Sequence, residues 1–438
     1  MRIVQTFILL FALIFSLQND VKAQISVART QEIVDTLASN QLRGRLAGSE
    51  GERLTTEYIK NEFEKLGLVP AGEDGTYFQN IKKFAVEGIS ESLLINKEAV
   101  KSNQFFIDTD VEEWASKKKK EFSVVTLKES ENFNDKRKEL MKSNQPTFVW
   151  VQGDMNLIAM KKLKIKLSNK EYLEEIDGAR KIVWVEDIPA SREKFKKLSF
   201  TFQQKVHNIV MRNVMARLEG SGPRAKETIM IGAHHDHIGI LEPIQNDSIA
   251  NGADDNASGV SAVLQLAEYF AKRRMKYPRS ILFVTFTAEE MGLVGSEYMA
   301  SQMSDEELKN IKAMINFEMI GKPSVNGKRK AYMTGYDQST LGKQLAQTVL
   351  KDRINFKIFA DPYEDMDLYF RSDNASFVKR GVIAHTISST DIDFDSYYHT
   401  VNDEAETLNY QNIVDVIKGM AVGIEPLVRG RFTPRPIK

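Results

Sequence analysis

The sequence contains no cysteine among its 438 residues. The chain therefore has no disulfide framework, no thiol nucleophile and no lipid-acceptor cysteine after its N-terminal apolar run. An excess of charge is also absent, since Lys and Arg together number 60 and Asp and Glu together number 60. Because a basic surface is what draws a protein to nucleic acid or to an anionic membrane, we expect neither as a partner.

Long hydrophobic runs are scarce as well. The clearest one, Thr6–Leu17, has 12 residues, follows the positive Arg2 and precedes a small-residue end at Ala23. A run of this length is too short to cross a bilayer easily and is typical of a secretory signal peptide. We therefore expect residues 1–23 to be removed, and the mature protein to be exported to a periplasm or to the extracellular space, without stable membrane insertion. An anchored or buried N-terminal helix is the alternative.

The chain is too long for one small core, which predicts either one large domain with an insertion or two domains. Residues 24–84 read as the N-terminal part of the large domain, and residues 208–438 as its core. Between them, residues 85–207 mix lysine runs with short strand-like runs and carry no catalytic motif. We interpret this stretch as an inserted α+β domain, lid-like or covering. All three tryptophans lie in it and are expected to form its core: Trp114, Trp150 and Trp184.

Strands and helices alternate through the C-terminal half. Apolar runs of strand type alternate with helical patterns, including a helix whose apolar residues from Val260 to Ala271 share one face. Such alternation favours a largely parallel sheet that is covered on both faces. The predicted strands include 228–232, 280–287, 313–317 and 381–387.

The chain has only six histidines, and three of them follow the apolar run 229–231, as His234, His235 and His237 with Asp236 among them. Four further segments that bear carboxylates or histidine also fall at or beyond predicted strand ends. Because the carboxyl ends of strands in an open α/β sheet meet at one crevice, we expect these segments to converge. A mixed set of histidines and carboxylates suits zinc, and so many carboxylates favour two metal ions. The four segments are 252–259, 288–292, 316–321 and 398–400.

In their order along the chain, these five segments resemble the di-zinc aminopeptidases of peptidase family M28, a group that also includes glutamate carboxypeptidases. The match covers about residues 210–410, with a weaker match over 30–80 around Gly44-Arg45. The resemblance implies a zinc exopeptidase fold of the phosphorylase/hydrolase-like type. In that fold a mixed, mainly parallel sheet of about eight strands is sandwiched by helices.

The resemblance also implies a ligand set for two Zn²⁺ ions. His234, Asp255 and Glu318 match the ligands of one ion, while Asp255, Glu290 and His399 match those of the other. Asp255 would then bridge the two ions. Co²⁺ or Mn²⁺ in place of zinc is not excluded, because affinity order alone does not decide which metal a site holds.

Three further residues match positions with catalytic roles in the family. Glu289 matches the general base, Asp236 matches the partner that orients His234, and Tyr369 lines up with a tyrosine that helps to stabilise the oxyanion. The resemblance also implies a cis peptide bond between Asp255 and Asn256.

The chain departs from the family pattern at three places. Glu318 stands where the best-known members have aspartate, which lengthens the ligand by one methylene. Asn374 replaces the histidine of a Ser-Asp-His segment, so a proton-related role there is in doubt. The stretch 85–207 does not clearly match the protease-associated domain that many relatives carry. Outside the matched positions, His235 and His237 are expected to line the rim of the site or to pack locally.

These features predict an exported metallo-exopeptidase that acts on a peptide substrate with a free N-terminus. Two enzymatic alternatives remain open, a carboxypeptidase and a glutaminyl cyclase-like enzyme on the same fold. A metal-stabilised binding protein without turnover is the alternative from another class. Glu289, which lies beside the matched ligand Glu290, argues against the binding protein, because a protein that only binds needs the metal ligands but no general base.

Overall fold

The computed structural model describes residues 25–437 except 170, 174, 175, 177, 179, 274 and 353. The predicted signal peptide, residues 1–23, lies outside the described residues. Within the described part of the chain, every helix is too short or too polar to cross a membrane. The chain divides into two units: one runs to Ile81 and resumes at Met211, and the other is Lys82–Val210.

The first unit is built on the main sheet, which has twelve strands among the described residues. Four of them are short and pair with the two long strands Phe78–Ile95 and Leu198–Leu218; these are Val69–Pro70, Glu98–Ala99, Glu113–Ser116 and Glu171–Leu173. We number the other eight strands in chain order. Strands β1 and β2 continue past the boundary between the two units, which falls inside both of them. The strands are β1 Phe78–Ile95, β2 Leu198–Leu218, β3 Thr228–His234, β4 Ser280–Phe286, β5 Ile311–Phe317, β6 Lys330–Met333, β7 Lys357–Ala360 and β8 Ala384–Ser388.

The strand order is β7-β6-β8-β5-β3-β4-β2-β1. Parallel pairing joins β3 to β4 and to β5, β5 to β8, and β6 to β7. Antiparallel pairing joins β4 to β2 and β6 to β8. The predicted mixed sheet sandwiched by helices is confirmed, but its mainly parallel character holds only for the centre. The strands that flank this centre reverse direction, and periodicity alone does not show the direction of a strand.

Alternate residues of the central strands contribute to two separate cores. Ile229 and Ile231 of β3 pack in one apolar cluster, whereas Met230 between them packs in another. Successive side chains of a strand point to opposite faces of the sheet, so each cluster marks one face. Both faces of the sheet are therefore covered, as continuous apolar strands require.

Among the described residues, eight helices of the first unit cover this sheet. The helix that follows the β3 segment buries Val260, Val263, Leu264, Ala267 and Phe270, which confirms the predicted apolar face. Serine side chains cap the first two helices, since Ser26 accepts from the Arg29 N–H and Ser49 from the Glu52 N–H. The helices are Val27–Leu37, Glu50–Lys65, Gly259–Lys272, Val294–Gln302, Asp305–Asn310, Leu341–Lys351, Asn374–Val378 and Tyr410–Val428.

The second unit has its own four-stranded sheet. The strands follow the order Phe105–Thr109, Lys181–Glu186, Thr147–Val151 and Ser123–Leu127. The last three are parallel to one another, and the helices Phe133–Leu140 and Asp154–Asn169 connect them. Trp150 and Trp184 are at most 1% exposed, and Trp114 packs partly buried against the same core as Trp150. The prediction that the tryptophans form the core of this stretch is confirmed.

Candidate metal centre

His234, the last residue of the central strand β3, lies in the candidate site. All seven residues of the strand are buried, and the chain beyond it remains buried through Asp236 and His237. The N–H of His235 still donates to the Phe286 carbonyl oxygen at 2.9 Å, so the backbone leaves the sheet only after the first histidine. This geometry places His234 at the carboxyl end of the sheet, as the sequence predicts.

The first ligand cluster joins His234, Asp255 and Glu318. His234 Nε2 lies 3.2 Å from Asp255 Oδ1 and 3.1 Å from Glu318 Oε1. The other oxygen of Glu318 accepts a hydrogen bond of 2.7 Å from the Ser372 hydroxyl, which holds the longer side chain in place.

The second cluster uses the other oxygen of Asp255. His399 Nε2 lies 3.2 Å from Asp255 Oδ2 and 2.9 Å from Glu290 Oε2. Asp255 therefore presents one oxygen to each cluster. The structure brings together all five residues that the resemblance names as metal ligands, and it places Asp255 between the two groups.

The site also contains a histidine for which we expected only local packing. His237 Nδ1 lies 2.7 Å from Glu290 Oε1 and 3.8 Å from Asp255 Oδ2, so that His237, Asp255 and Glu290 together could also hold a metal ion. Its side chain is fully buried rather than placed at the rim. The cluster of three histidines in sequence was the only signal for this contact, and it did not distinguish His237 from His235.

His235 points away from both clusters. Its Nδ1 lies 3.1 Å from the Thr285 hydroxyl, and its Nε2 lies 3.6 Å from Glu52 Oε1. For this histidine the expectation of local packing agrees with the structure.

The two adjacent glutamates are held through their backbone by Asp236. After β4 the chain turns at Ala288, whose φ of 52° is positive. The N–H groups of Glu289 and Glu290 then donate to the two carboxylate oxygens of Asp236, at 3.1 and 3.3 Å. The contact of Asp236 with His234 Nδ1 is made by its backbone carbonyl oxygen at 3.2 Å, whereas the carboxylate oxygen is 3.7 Å away.

A second aspartate orders the loop that carries Asp255. The carboxylate of Asp403 accepts the N–H groups of Asp254 and Asp255 at 2.9–3.1 Å. The peptide bond between Asp255 and Asn256 is cis, which confirms the prediction.

A buried arginine ties the ligand-bearing loops together. Arg45 is 1% exposed, and its guanidinium donates to four backbone carbonyl oxygens, those of Leu37, His235, Asn251 and Gly252, at 2.5–2.9 Å. Two of these carbonyls precede Asp255, and another lies between His234 and Asp236. The sequence match around Gly44-Arg45 had pointed to this residue but to no role for it.

The contacts of the predicted Tyr369 are with residues outside the two ligand clusters. Its ring packs on Gly335 and lies 5.6 Å from the His385 ring. Burial raises the pKa of Tyr369 to about 12. The neighbouring Asn374 donates to the Tyr369 carbonyl oxygen and accepts from the Thr386 hydroxyl, so it serves as a structural amide here.

The electrostatics of the site depend on burial and on the close spacing of its ionisable groups. Burial favours the neutral carboxyl, yet contacts with His234, His237 and His399 hold the pKa of Asp255 well below its usual range. Burial also raises the pKa of Glu289 well above its usual range, and the nearby Glu318 adds to this while His234 opposes it. Burial disfavours the imidazolium of His399, but Asp255 and Glu290 raise its pKa to about 10.

The donor set fits two metal ions that share a carboxylate. One imidazole nitrogen and two carboxylate oxygens lie within 4.8 Å of one another in each of two groups, His234 with Asp255 and Glu318, and His237 with Asp255 and Glu290. His399 approaches the same two carboxylates as His237. Imidazole with carboxylate is a combination that suits zinc, and a site with three protein ligands leaves a position for water or substrate. Close carboxylates that must stay ionised while buried need cations as counter-charge.

Comparison with known proteins agrees with this geometry. Residues 213–423 match the sequence model described as Peptidase family M28. The leucine aminopeptidase 2 of Trichophyton rubrum is 31% identical over 178 residues, which are 39% of this chain and 32% of that protein. An aminopeptidase of Pseudomonas aeruginosa is 32% identical over 174 residues, which are 39% of this chain and 29% of that protein. The chain thus spans about a third of the length of the curated relatives that it matches.

Two solved structures share the fold over nearly the whole chain. The aminopeptidase from Aneurinibacillus sp. strain AM-1 has a TM-score of 0.55 at 19% identity, covering 95% of this chain and 96% of that one. The zinc aminopeptidase BSAP from Bacillus subtilis has a TM-score of 0.56 at 16% identity, covering 93% and 96%. The fold and the donor set together define an α/β protein with a candidate metal centre. Within that class, residues 213–423, a little under half of the chain, match peptidase family M28.

Proposed function

We propose that the protein is an exported zinc-dependent aminopeptidase that removes N-terminal residues from peptides. The observation that carries the proposal is the position of Asp255, whose two oxygens lie 3.2 Å from His234 and 3.2 Å from His399. A carboxylate shared in this way is the bridging ligand that a two-metal hydrolytic site needs. The aminopeptidase names of the relatives and of the structural neighbours support the choice of substrate end.

Five side chains would hold the metal ions. His234, Asp255 and Glu318 would bind one, and Asp255, Glu290 and His399 would bind the other. Two zinc ions in these positions would lower the pKa of a water molecule and polarise the scissile carbonyl group. Co²⁺ or Mn²⁺ could serve the same set of nitrogen and oxygen ligands.

Glu289 is placed to move the proton. Its backbone is held by Asp236, and its side chain makes no hydrogen bond to other described residues, so the carboxylate is free for a proton-transfer role. We propose that it accepts a proton from the attacking water and then returns it to the leaving amine. Proton transfer of this kind contributes about 10²–10⁴-fold to the rate. The adjacent Glu290 cannot take this role, because it is engaged by both His237 and His399.

A free substrate amine suits the negative character of the site. The carboxylates of Asp255, Glu290 and Glu318 belong to the two clusters, and Glu289 is near enough to Glu318 and Glu290 to interact with both. A positively charged N-terminus is attracted to such a group of carboxylates, whereas the carboxylate of a C-terminus is repelled by it. Tyr369 keeps the proposed role of hydrogen-bond donor to the oxyanion.

Metal analysis combined with a substrate screen tests the proposal. We expect two zinc ions per chain and hydrolysis of aminoacyl p-nitroanilides. The same compounds with an acetylated amine serve as the matched control and should not be hydrolysed. Faster release of C-terminal residues from N-acetylated peptides would indicate a carboxypeptidase, and cyclisation of N-terminal glutamine would indicate a glutaminyl cyclase-like enzyme. Metal binding without turnover of any of these substrates would favour the binding protein.

Export is a separate part of the proposal. It is supported by the apolar run Thr6–Leu17, after which there is no cysteine that could accept a lipid. Mass spectrometry of the protein recovered outside the cytoplasm should find a chain that begins near Gln24. Recovery of an intact N-terminus in the membrane fraction would instead indicate an anchor.

A further inference from the structure

His237 is fully buried against the second cluster, although the ligand set drawn from the family has no place for it. Its Nδ1 lies 2.7 Å from Glu290 Oε1, and its ring meets the ring of His399 edge-on at 5.8 Å. Glu290 therefore lies between two imidazoles, with Oε1 on His237 and Oε2 on His399. The structure allows two roles for His237, that of a further metal ligand and that of a hydrogen-bond donor to Glu290.

The spacing fits a hydrogen-bond donor. The separation of 2.7 Å between His237 Nδ1 and Glu290 Oε1 matches a hydrogen bond to a carboxylate, for which about 2.7–2.9 Å is usual. It does not by itself distinguish the two roles, because His399, which is assigned as a ligand, lies only 2.9 Å from the same carboxylate.

The second ring nitrogen gives an independent argument. His237 Nε2 is buried and has no hydrogen-bond partner among the described residues. If Nδ1 bound a metal, the proton would sit on Nε2 as a buried N–H without an acceptor, although a ligating histidine almost always donates that proton. If Nδ1 carries the proton instead, Nε2 holds only a lone pair, and no donor is left unpaired.

The neighbouring loop is shaped to hold the ring in this position. Gly252 has a φ of 59°, and a Cβ built on it would lie 2.6 Å from His237 Cγ and Cδ2. Glycine is therefore needed there for two reasons, the positive φ and the close approach of the imidazole. Since Arg45 binds the Gly252 carbonyl oxygen, the loop that touches the ring is itself held in place.

We propose that His237 is a positioning residue that donates its Nδ1–H to Glu290 Oε1 and so leaves Oε2 to bind the second metal beside His399. Asp236 holds the backbone N–H of Glu290, and His237 holds one end of its carboxylate. Because the backbone of Glu290 and one oxygen of its carboxylate are both held, the side chain is restrained from rotating away from the metal and from turning both oxygens toward it. This inference rests on the proposed two-metal function.

Metal-binding measurements on two variants test the role. His237→Leu removes the donor, and His237→Asn keeps an N–H near the position of Nδ1. We expect the leucine variant to bind the second zinc about 10–100-fold more weakly, the range found when such supporting contacts are lost, with the first site unchanged. The asparagine variant should stay within a few-fold of the wild type. His235→Leu is the matched control, because it removes an adjacent and equally buried imidazole that does not touch the clusters, and it should leave both affinities unchanged.

Spectroscopy gives a readout that does not depend on how well the variants fold. In the metal-loaded wild type, the ¹⁵N shifts of His237 should show a protonated Nδ1, and a shift of the metal-bound type at Nδ1 would overturn the proposal. The visible spectrum of the Co²⁺-loaded His237→Asn variant should match that of the wild type. Loss of the second metal from the asparagine variant to the same extent as from the leucine variant would mean that the imidazole is a ligand.

Two further outcomes count against the inference. Unchanged binding of both ions by His237→Leu would show that His237 has no positioning role. An equal loss of affinity in His235→Leu would show that any buried histidine of this strand end has the same effect. A wild type that binds fewer than two metal ions would overturn the proposed function and this inference with it, whereas the other results leave the proposed function intact.

Discussion

The two units each bury an aspartate completely, and the partners of the two aspartates differ. Asp108 of the second unit lies 2.7 Å from Arg137 Nε and 3.1 Å from Arg180 Nε. Asp255 of the first unit faces the imidazoles of His234 and His399 instead, with further carboxylates close by. In the second unit the chain supplies the counter-charge itself. At the metal centre the carboxylates of the clusters have no arginine or lysine partner among the described residues, and bound cations would balance their charge.

A guanidinium, that of Arg45, is also buried close to the metal centre, but it does not pair with the carboxylates there. Its hydrogen bonds go to backbone carbonyl oxygens and not to the carboxylates. Burial lowers the pKa of Arg45 to about 10, although Asp255 and Asp403 oppose this effect. Asp108 with its fixed arginine partners is structural, whereas Asp255, which lies between two imidazoles and beside other carboxylates, fits a site for cations.

The largest expected effect comes from Glu289→Gln. Turnover should fall by about 10²–10⁴-fold, which corresponds to roughly 2.7–5.5 kcal/mol of activation free energy, because the proton acceptor is lost. Metal content and KM should stay near their wild-type values, because the amide keeps the shape of the side chain. Steady-state kinetics and metal analysis on the same preparation check this.

Glu290→Gln is the matched control for that variant. It replaces the adjacent residue with the same isosteric change, and it should lose metal from one site. If Glu289→Gln lost the metal while Glu290→Gln kept it, the two roles would have to be exchanged.

Asp108→Ala should destabilise the second unit by about 3–5 kcal/mol, because it leaves two arginines without their buried partner. Zinc content and the affinity of the metal centre should not change. The three tryptophans all lie in this unit, and Trp184 Nε1 is 3.5 Å from Asp108 Oδ2, so tryptophan fluorescence during urea unfolding reports the change.

The control is Glu139→Gln, which removes a carboxylate that is 66% exposed and pairs with Lys136. This variant should shift the unfolding free energy by no more than about 1 kcal/mol. A comparable loss in both variants would remove the distinction between buried and exposed pairs.

Removal of the metal ions should lower the stability of the first unit and leave that of the second unit unchanged. A free metal concentration of 100 times Kd contributes about 2.7 kcal/mol to the stability of the unit that binds it, and chelation removes this contribution. We expect the first unit to unfold at a lower temperature, while the tryptophan transition of the second unit stays in place. A tryptophan transition that moved by the same amount would show that the two units unfold as one.

The smallest effect is expected for Glu318→Asp, which restores the residue type of the best-known family members. Shortening the side chain should break the hydrogen bond from Ser372, which is worth about 0.5–1.5 kcal/mol, and should weaken the first metal by up to roughly tenfold. Ser372→Ala in the wild-type background removes the same bond and should have a similar effect on zinc affinity. Tighter binding by the aspartate variant would show that the extra methylene is a disadvantage in this site.

Much of the fold could be predicted from pattern alone. The strand that ends at His234 and the helix that starts near Val260 are both present. A short continuous apolar run is typical of a strand buried on both faces, and apolar residues at a period of 3.6 are typical of a helix with one buried face. The antiparallel pairing of β2 with β4 and of β6 with β8 could not be predicted in this way. The direction of a strand depends on which neighbours it reaches in space, and periodicity contains no information on that point.

For the metal centre, the sequence by itself determined the donor chemistry, since it places histidines and carboxylates at or beyond predicted strand ends. The resemblance to the family then marks His234, Asp255, Glu290, Glu318 and His399 among them. Only the tertiary structure decided how each group is held. His235 and His237 are the same residue two positions apart, yet one binds Thr285 and the other binds Glu290. The reason is physical: a side chain's role depends on the atoms within about 3 Å of it, and those atoms come from segments up to 53 residues away in the chain.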